Sequence, residues 1–327
     1  MKEQDIRSAS AHSRYLELVR EDISRYFVDP DVFDTVACPA CDDRNHAPEF
    51  AKAGFQYVTC LRCGTLYVTP RPPAKALEEF YVSSPSSRYW IESFFRPVAE
   101  ARREKIFRPR ADYVARQLSR CKSATVGDVG AGFGLFLEEL RTLWPESRLI
   151  AIEPSIEMAQ ICRSKGLKVF EATLEGLTGY DGQFGLLTAF ELLEHLYEPR
   201  TFLERAFRLL APNGALLITT LNGHGFDVQV LWERSKTVFP PHHLNFFNPP
   251  ALRRLCENVG FLVEEVSTPG ELDWDIVERR ILDDGVDPGR FWVWLARNGS
   301  SASKRDFQSW LSQNGLSSHM RMLARKP

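Results

Sequence analysis

No run of apolar residues in this 327-residue chain approaches the length of a membrane span. The opening stretch, MKEQDIRSASAHSRYLELVRED, lacks the apolar centre of an export signal, so a cytoplasmic location is expected. Basic excess is also missing. Net charge is −2 and the pI is about 6.4, which argues against the chain as a whole being a nucleic-acid binder. No internal repeat and no long low-complexity stretch interrupts it. What remains is ordinary globular material, 44% hydrophobic and 26% charged, long enough for a sizeable core.

In a reducing compartment the seven cysteines point to metal or free thiols, not disulfides. Four of them form two C-x2-C pairs, CPAC (Cys38, Cys41) and CLRC (Cys60, Cys63), with 18 residues between. That is zinc-ribbon spacing: each pair offers two thiolates on a tight turn, and two facing pairs close a tetrahedral site. A closed site has no open position, so its expected job is folding. Cys121, Cys162 and Cys256 stand singly and read as core residues.

The chain divides by composition. Residues 1–35 read as an amphipathic helical segment with Tyr15, Leu16, Leu18 and Val19 as apolar positions. Residues 36–72 form the cysteine module, closed by PRPP, and 73–118 a charged helical connector. From residue 124 strands and helices alternate, which predicts a parallel, doubly wound sheet. PRTFLERAFRLLAPNG reads as a helix ending on Asn-Gly, and HMRMLAR as an added edge strand. The predicted α/β domain spans 119–268 plus 316–327. Residues 269–315 are a helical insertion with Trp274, Trp292, Trp294 and Trp310 among its apolar positions.

The first crossover, VGDVGAGFGLFLEEL, carries Asp128-x-Gly130-x-Gly132-x-Gly134. This is one residue tighter than the dinucleotide fingerprint, and an acid precedes the glycines. A carboxylate repels a diphosphate and favours a cationic amino-acid portion. Glu153 ends the next strand, where a carboxylate can accept from both ribose hydroxyls of an adenosine. S-adenosylmethionine satisfies both acids.

In sequence order, DVGAGFG, IAIEPS and FELLEHL resemble the motifs of class I S-adenosylmethionine-dependent methyltransferases, over roughly residues 120–270. The resemblance implies a Rossmann-like seven-stranded sheet whose last strand is antiparallel. It implies that Asp128 and the glycine backbone face the methionine part and that Glu153 binds ribose. It places Thr173 and Leu174 of EATLEG near adenine, and adds Phe190 to the cofactor set.

VTCLRCGTLYVTPRPPAKALEEFY and LSSHMRMLARKP further resemble bacterial methyltransferases of sugars and surface glycans, which carry a zinc-binding N-terminal module. That likeness implies a small-molecule acceptor, a sugar or nucleotide sugar, methylated on a hydroxyl or, second, on an enolised carbon. Two rivals stand beside it. One is an RNA methyltransferase with an N-terminal zinc site, for which the locally basic stretch Arg88–Arg110 speaks. The other is a non-catalytic zinc-ribbon interaction protein.

ELLEHL sets Glu191, Glu194 and His195 at the end of the fourth strand of that domain, and FPPHHLNFFNPPAL sets His242 and His243 after the fifth. In one reading His243, or failing it His242, is a general base for the acceptor hydroxyl. In another, Glu191, Glu194, His195 and His243 ligate a divalent metal, a pattern that resembles metal-assisted O-methyltransferases of quinone pathways and of small RNAs. In a third, Glu191 orients the cofactor pocket, His195 packs against it, and alignment alone drives transfer. Tyr81, Tyr89, Trp90 and Phe94 are candidates for stacking on the acceptor, or core residues.

Overall fold

A computed structural model describes residues 9–122 and 124–327. Its strands are β1 His46–Lys52, β2 Phe55–Cys60, β3 Leu66–Val68, β4 Thr125–Val129, β5 Arg148–Ile152 and β6 Lys168–Phe170. They continue with β7 Phe184–Phe190, β8 Leu210–Leu221, β9 Asn245–Phe246, β10 Leu262–Ser267 and β11 His319–Arg325. Seven form one sheet in the order β10-β11-β8-β7-β4-β5-β6. Neighbours from β8 to β6 run parallel, and β11 is antiparallel to both β8 and β10. This is the α/β Rossmann-like sheet that the alternating pattern predicts. Strand order reverses between β4 and β7, so a crevice opens at the carboxyl ends of those strands.

Two details differ from the sequence reading. HMRMLAR is not an edge strand: β11 lies between β8 and β10, and the edge belongs to β10. Met320, Met322 and Ala324 on one face and Leu323 on the other are all buried, as an interior strand requires. The helix Pro199–Leu209 stops before Ala-Pro-Asn-Gly, and β8 already begins at Leu210, which pairs with Phe184. Pro212 cannot continue a helix. Ala-Pro-Asn-Gly is absorbed as an irregularity, with Asn213 in the left-handed region, before pairing resumes at Ala215.

The cysteine segment builds a second sheet, β1-β2-β3-β9. Its fourth strand comes from the loop that follows β8. Pro48 sits in β1, at the edge of this sheet, where a missing N–H is tolerated. The N-terminal helix Ala9–Tyr26 packs on the connector through Tyr15 and Val19, one helical turn apart. In the insertion, helices Asp273–Leu282, Arg290–Asn298 and Ser301–Gln313 enclose Phe226 with Trp274, Trp292 and Phe307. Trp294 and Trp310, read as apolar positions of the insertion, are exposed, though Trp310 stacks on Phe307 at 6.1 Å.

Several arginines of the basic connector pair with acids of the α/β domain. Arg103 pairs with Glu138 at 2.7 Å and Glu139 at 3.1 Å, Arg108 with Glu139 at 2.9 Å, and Arg96 with Glu157 at 3.6 Å. Phe94 stacks on Tyr15 and Trp90 packs on Phe95, so both belong to the interface with the N-terminal helix and the connector core.

Candidate functional site

Three chemical groupings occupy this scaffold. In the module, Cys38 and Cys63 lie 3.5 Å apart at sulfur, as do Cys41 and Cys60, and all four sulfurs fall within 4.8 Å of one another. Zinc–sulfur bonds of about 2.3 Å in a tetrahedron set sulfurs about 3.8 Å apart. The donor set and spacing therefore fit a zinc ion.

The second grouping is the crevice. Gly130, Gly132 and Gly134 all take left-handed φ values, +67°, +55° and +68°. At Gly132 a Cβ would meet nothing nearer than Met158 Sδ at 3.9 Å, so the protein leaves open space there for a ligand. Glu153 Oε2 accepts from Gly132 N at 2.8 Å and Oε1 from Ser155 N at 2.9 Å. The carboxylate thus ties the glycine turn to β5 while each oxygen keeps a lone pair. Asp128 is 3% exposed and accepts from Thr188 Oγ1 at 2.6 Å. Burial lifts its carboxyl to about 7, against the opposing pull of Thr188 and Arg110. An acid so desolvated suits a cationic ligand. Leu174 packs in the main core, which commits its side chain; Thr173 is exposed. Phe190 lies between Phe136, edge-on at 4.8 Å, and the Arg110 guanidinium at 4.7 Å.

Beside the crevice is the third grouping. Glu194, His195 and His243 each present a donor atom within 4.8 Å of the others. Glu194 is 1% exposed and accepts from Thr220 Oγ1 at 2.7 Å. Burial, with the charge of Glu191, raises its carboxyl to about 8. Burial and the neighbouring His243 hold His195 neutral, at about 3. His243 Nδ1 lies 2.6 Å from the carbonyl of Thr237, which can only accept, so the ring proton sits on Nδ1 and the lone pair on Nε2.

Glu191, expected in the same set, is not part of this cluster. Its Oε1 accepts from Arg110 at 2.6 Å, from His319 at 2.8 Å and from Thr219. Burial alone would raise its carboxyl, but His319 and Arg110 hold it well below the usual range. His242, the alternative base, borders the cluster, its ring 6.3 Å from that of His195, but is not among the three converging donors. It is 7% exposed, stacks on Phe239 at 4.9 Å and places Nε2 3.0 Å from the Tyr15 hydroxyl. Of the four aromatic candidates, Tyr81 reaches the cluster, its hydroxyl 3.3 Å from His195 Nδ1. Arg110, His319, Thr219 and Thr220 carry no motif, and sequence reasoning missed their roles.

Residues 99–266, just over half of the chain, match the family described as methyltransferase domain. The chain belongs to the methyltransferase-domain family. This methyltransferase is S-adenosylmethionine-dependent, and the match spans both the crevice and the Glu194–His195–His243 cluster while leaving out the cysteine module. It is 30% identical over 171 residues to the ubiquinone biosynthesis O-methyltransferase of Xanthomonas oryzae pv. oryzae (strain PXO99A), covering 48% of this chain and 70% of that one. It is 26% identical over 148 residues to the protein of the same name from Escherichia coli O127:H6, covering 43% of this chain and 59% of that one. Among solved structures, it aligns with phosphoethanolamine N-methyltransferase 2 of Haemonchus contortus in complex with S-adenosyl-L-methionine, at TM-score 0.44 and 16% identity, covering 66% of this chain and 52% of that one. No helix among the described residues is long and apolar enough to cross a membrane.

Proposed function

We propose that this methyltransferase methylates a hydroxyl of a small molecule, with Glu194, His195 and His243 holding a divalent cation beside the acceptor oxygen. The observation that carries the reading is the convergence of one carboxylate and two imidazoles within 4.8 Å, next to the crevice. Oxygen and imidazole donors suit Mg2+, Mn2+ or Zn2+. The His243 Nδ1 bond to Thr237 is the outer contact that fixes a ligating ring.

Bound S-adenosylmethionine supplies a methyl group on a positively charged sulfur. Asp128 receives its ammonium, Glu153 its ribose hydroxyls, and the open backbone at Gly132 lets it approach. Thr173 and the Leu174 backbone line the adenine end, and Phe190, at the end of β7, belongs to the same cofactor set. A cation held by Glu194, His195 and His243 would lower the acceptor's pKa, so that its proton could pass to solvent; the oxygen would then bond to the methyl carbon as the carbon–sulfur bond breaks and S-adenosylhomocysteine leaves as the neutral thioether. Glu191, held by Arg110 and His319, is a positioning residue at the end of β7. The module's four cysteines hold a structural zinc.

O-methylation is the activity in the names of the relatives above, and it supports a hydroxyl acceptor. A sugar or nucleotide sugar is a narrower form of the proposal, resting on the module's likeness alone. The internal pairing of the connector arginines speaks against RNA.

The test is transfer of labelled methyl to a panel of hydroxylated small molecules, nucleotide sugars and RNA, before and after chelation. Loss of transfer on chelation and recovery with Mg2+ or Mn2+ supports the reading. Transfer indifferent to chelation, yet abolished by His243→Ala, would favour a histidine base, for which the Nε2 lone pair is equally suited.

A further inference from the structure

The loop that carries His243 and the turn that carries Glu194 and His195 are both fastened to the cysteine module. β3 pairs with β9, Leu66 opposite Phe246 and Tyr67 opposite Asn245, and Val68 N donates to Leu244 O at 2.9 Å. Leu244 N in turn donates to Glu194 O at 2.8 Å. Tyr57 of β2 is fully buried and donates its hydroxyl to the main-chain oxygen of His243 at 2.9 Å. Asn248 Nδ2 donates to Cys63 O at 2.8 Å, so one knuckle of the thiolate site touches the same loop.

Arg71 completes the linkage. Its buried guanidinium donates to Val68 O, Tyr197 O and Asn245 Oδ1, all neutral oxygens. The Asn245 amide so oriented donates to Leu193 O at 3.2 Å and Leu196 O at 2.7 Å, the two residues that bracket Glu194 and His195.

We propose that the four-cysteine module is a positioning element of the catalytic centre, in which Tyr57, Arg71 and Asn245 hold His243 and the Glu194–His195 turn at their working separation. This rests on the reading of that centre given under Proposed function. The Tyr57 bond anchors the main chain at His243, from which the Nδ1 contact to Thr237 then sets the imidazole. Asn245 grips both ends of the opposing turn. Loss of such an outer contact typically costs about 10- to 100-fold in metal affinity, and small misplacements of reacting groups cost similar factors in rate.

The test compares the full-length, zinc-loaded protein with Tyr57→Phe, which removes one hydroxyl and keeps the ring, and with Asn245→Ala. Zinc content, S-adenosylmethionine affinity, Mn2+ affinity and amide hydrogen exchange are measured on each. The expected result is unchanged zinc, cofactor affinity within about twofold, and Mn2+ binding weakened about tenfold or more. Exchange should quicken at residues 192–197 and 242–247 and stay unchanged at 126–134 and 149–154. Should Asn245→Ala fail to fold, Tyr57→Phe decides alone. Unchanged exchange in the two segments, a uniform rise across the chain, or unchanged Mn2+ affinity would each overturn the proposal. If the wild type binds no Mn2+, the metal reading falls by itself, and the exchange pattern still decides whether the module positions the two segments.

Discussion

Gly132 donates its backbone N–H to the side chain of Glu153 at 2.8 Å, joining the turn after β4 to the end of β5. One carboxylate thus shapes the cofactor crevice from inside while offering its remaining lone pairs to a ligand.

Glu153→Ala strands two amides, Gly132 N and Ser155 N, in addition to removing the proposed ribose acceptor. An unsatisfied buried donor costs about 1–3 kcal/mol, so S-adenosylmethionine affinity should fall by more than about tenfold. Glu153→Gln keeps one carbonyl oxygen and should lie between. Calorimetry on both variants checks the order.

With Asp128 in its proposed role as partner of the ammonium, cofactor binding should depend on pH. The Asp128 carboxyl is lifted to about 7 by burial, and a cationic ammonium would pull it down. Above about 7 the acid is already ionised. Below that value binding must expel a proton, and affinity should fall by up to about tenfold per pH unit. Asp128→Asn should bind more weakly and show a flat profile across the same range.

Gly134→Ala should cost stability more than affinity. The residue sits at φ +68°, and a Cβ there would lie 2.6 Å from Leu167 Cδ1 and 3.0 Å from Cys162 Sγ. Left-handed strain and overpacking together amount to about 2–4 kcal/mol, readable as a lowered denaturation midpoint.

Cys60→Ser removes one of four sulfurs that stand within 4.8 Å of one another. Zinc content by elemental analysis should become substoichiometric, and the melting temperature should drop by more than about 5 °C.

Local signals in the sequence were the legible ones. The glycine turn, Glu153 on the following strand and the paired cysteines are each set by residues a few positions apart, and each lies where its spacing implied. Partnerships across long separations were not legible. Glu191 meets Arg110 and His319 from 81 and 128 residues away, which takes it out of the cluster its motif suggested. His242 and His243 are adjacent in sequence but point apart, one into Tyr15 and Phe239, the other toward Glu194 and His195. A two-residue strand such as β9 has no periodicity to read, yet it joins the module to the loop that carries His243.

The most direct measurement is equilibrium binding of Mn2+, followed by its paramagnetic resonance signal, to zinc-loaded wild type and to His243→Ala and Glu194→Gln. One saturable ion per chain is expected in the wild type, weakened more than about tenfold in both variants, with cofactor affinity retained. Absence of saturable binding to the wild type, or equal binding by all three proteins, would contradict the assignment of Glu194, His195 and His243 as a metal centre.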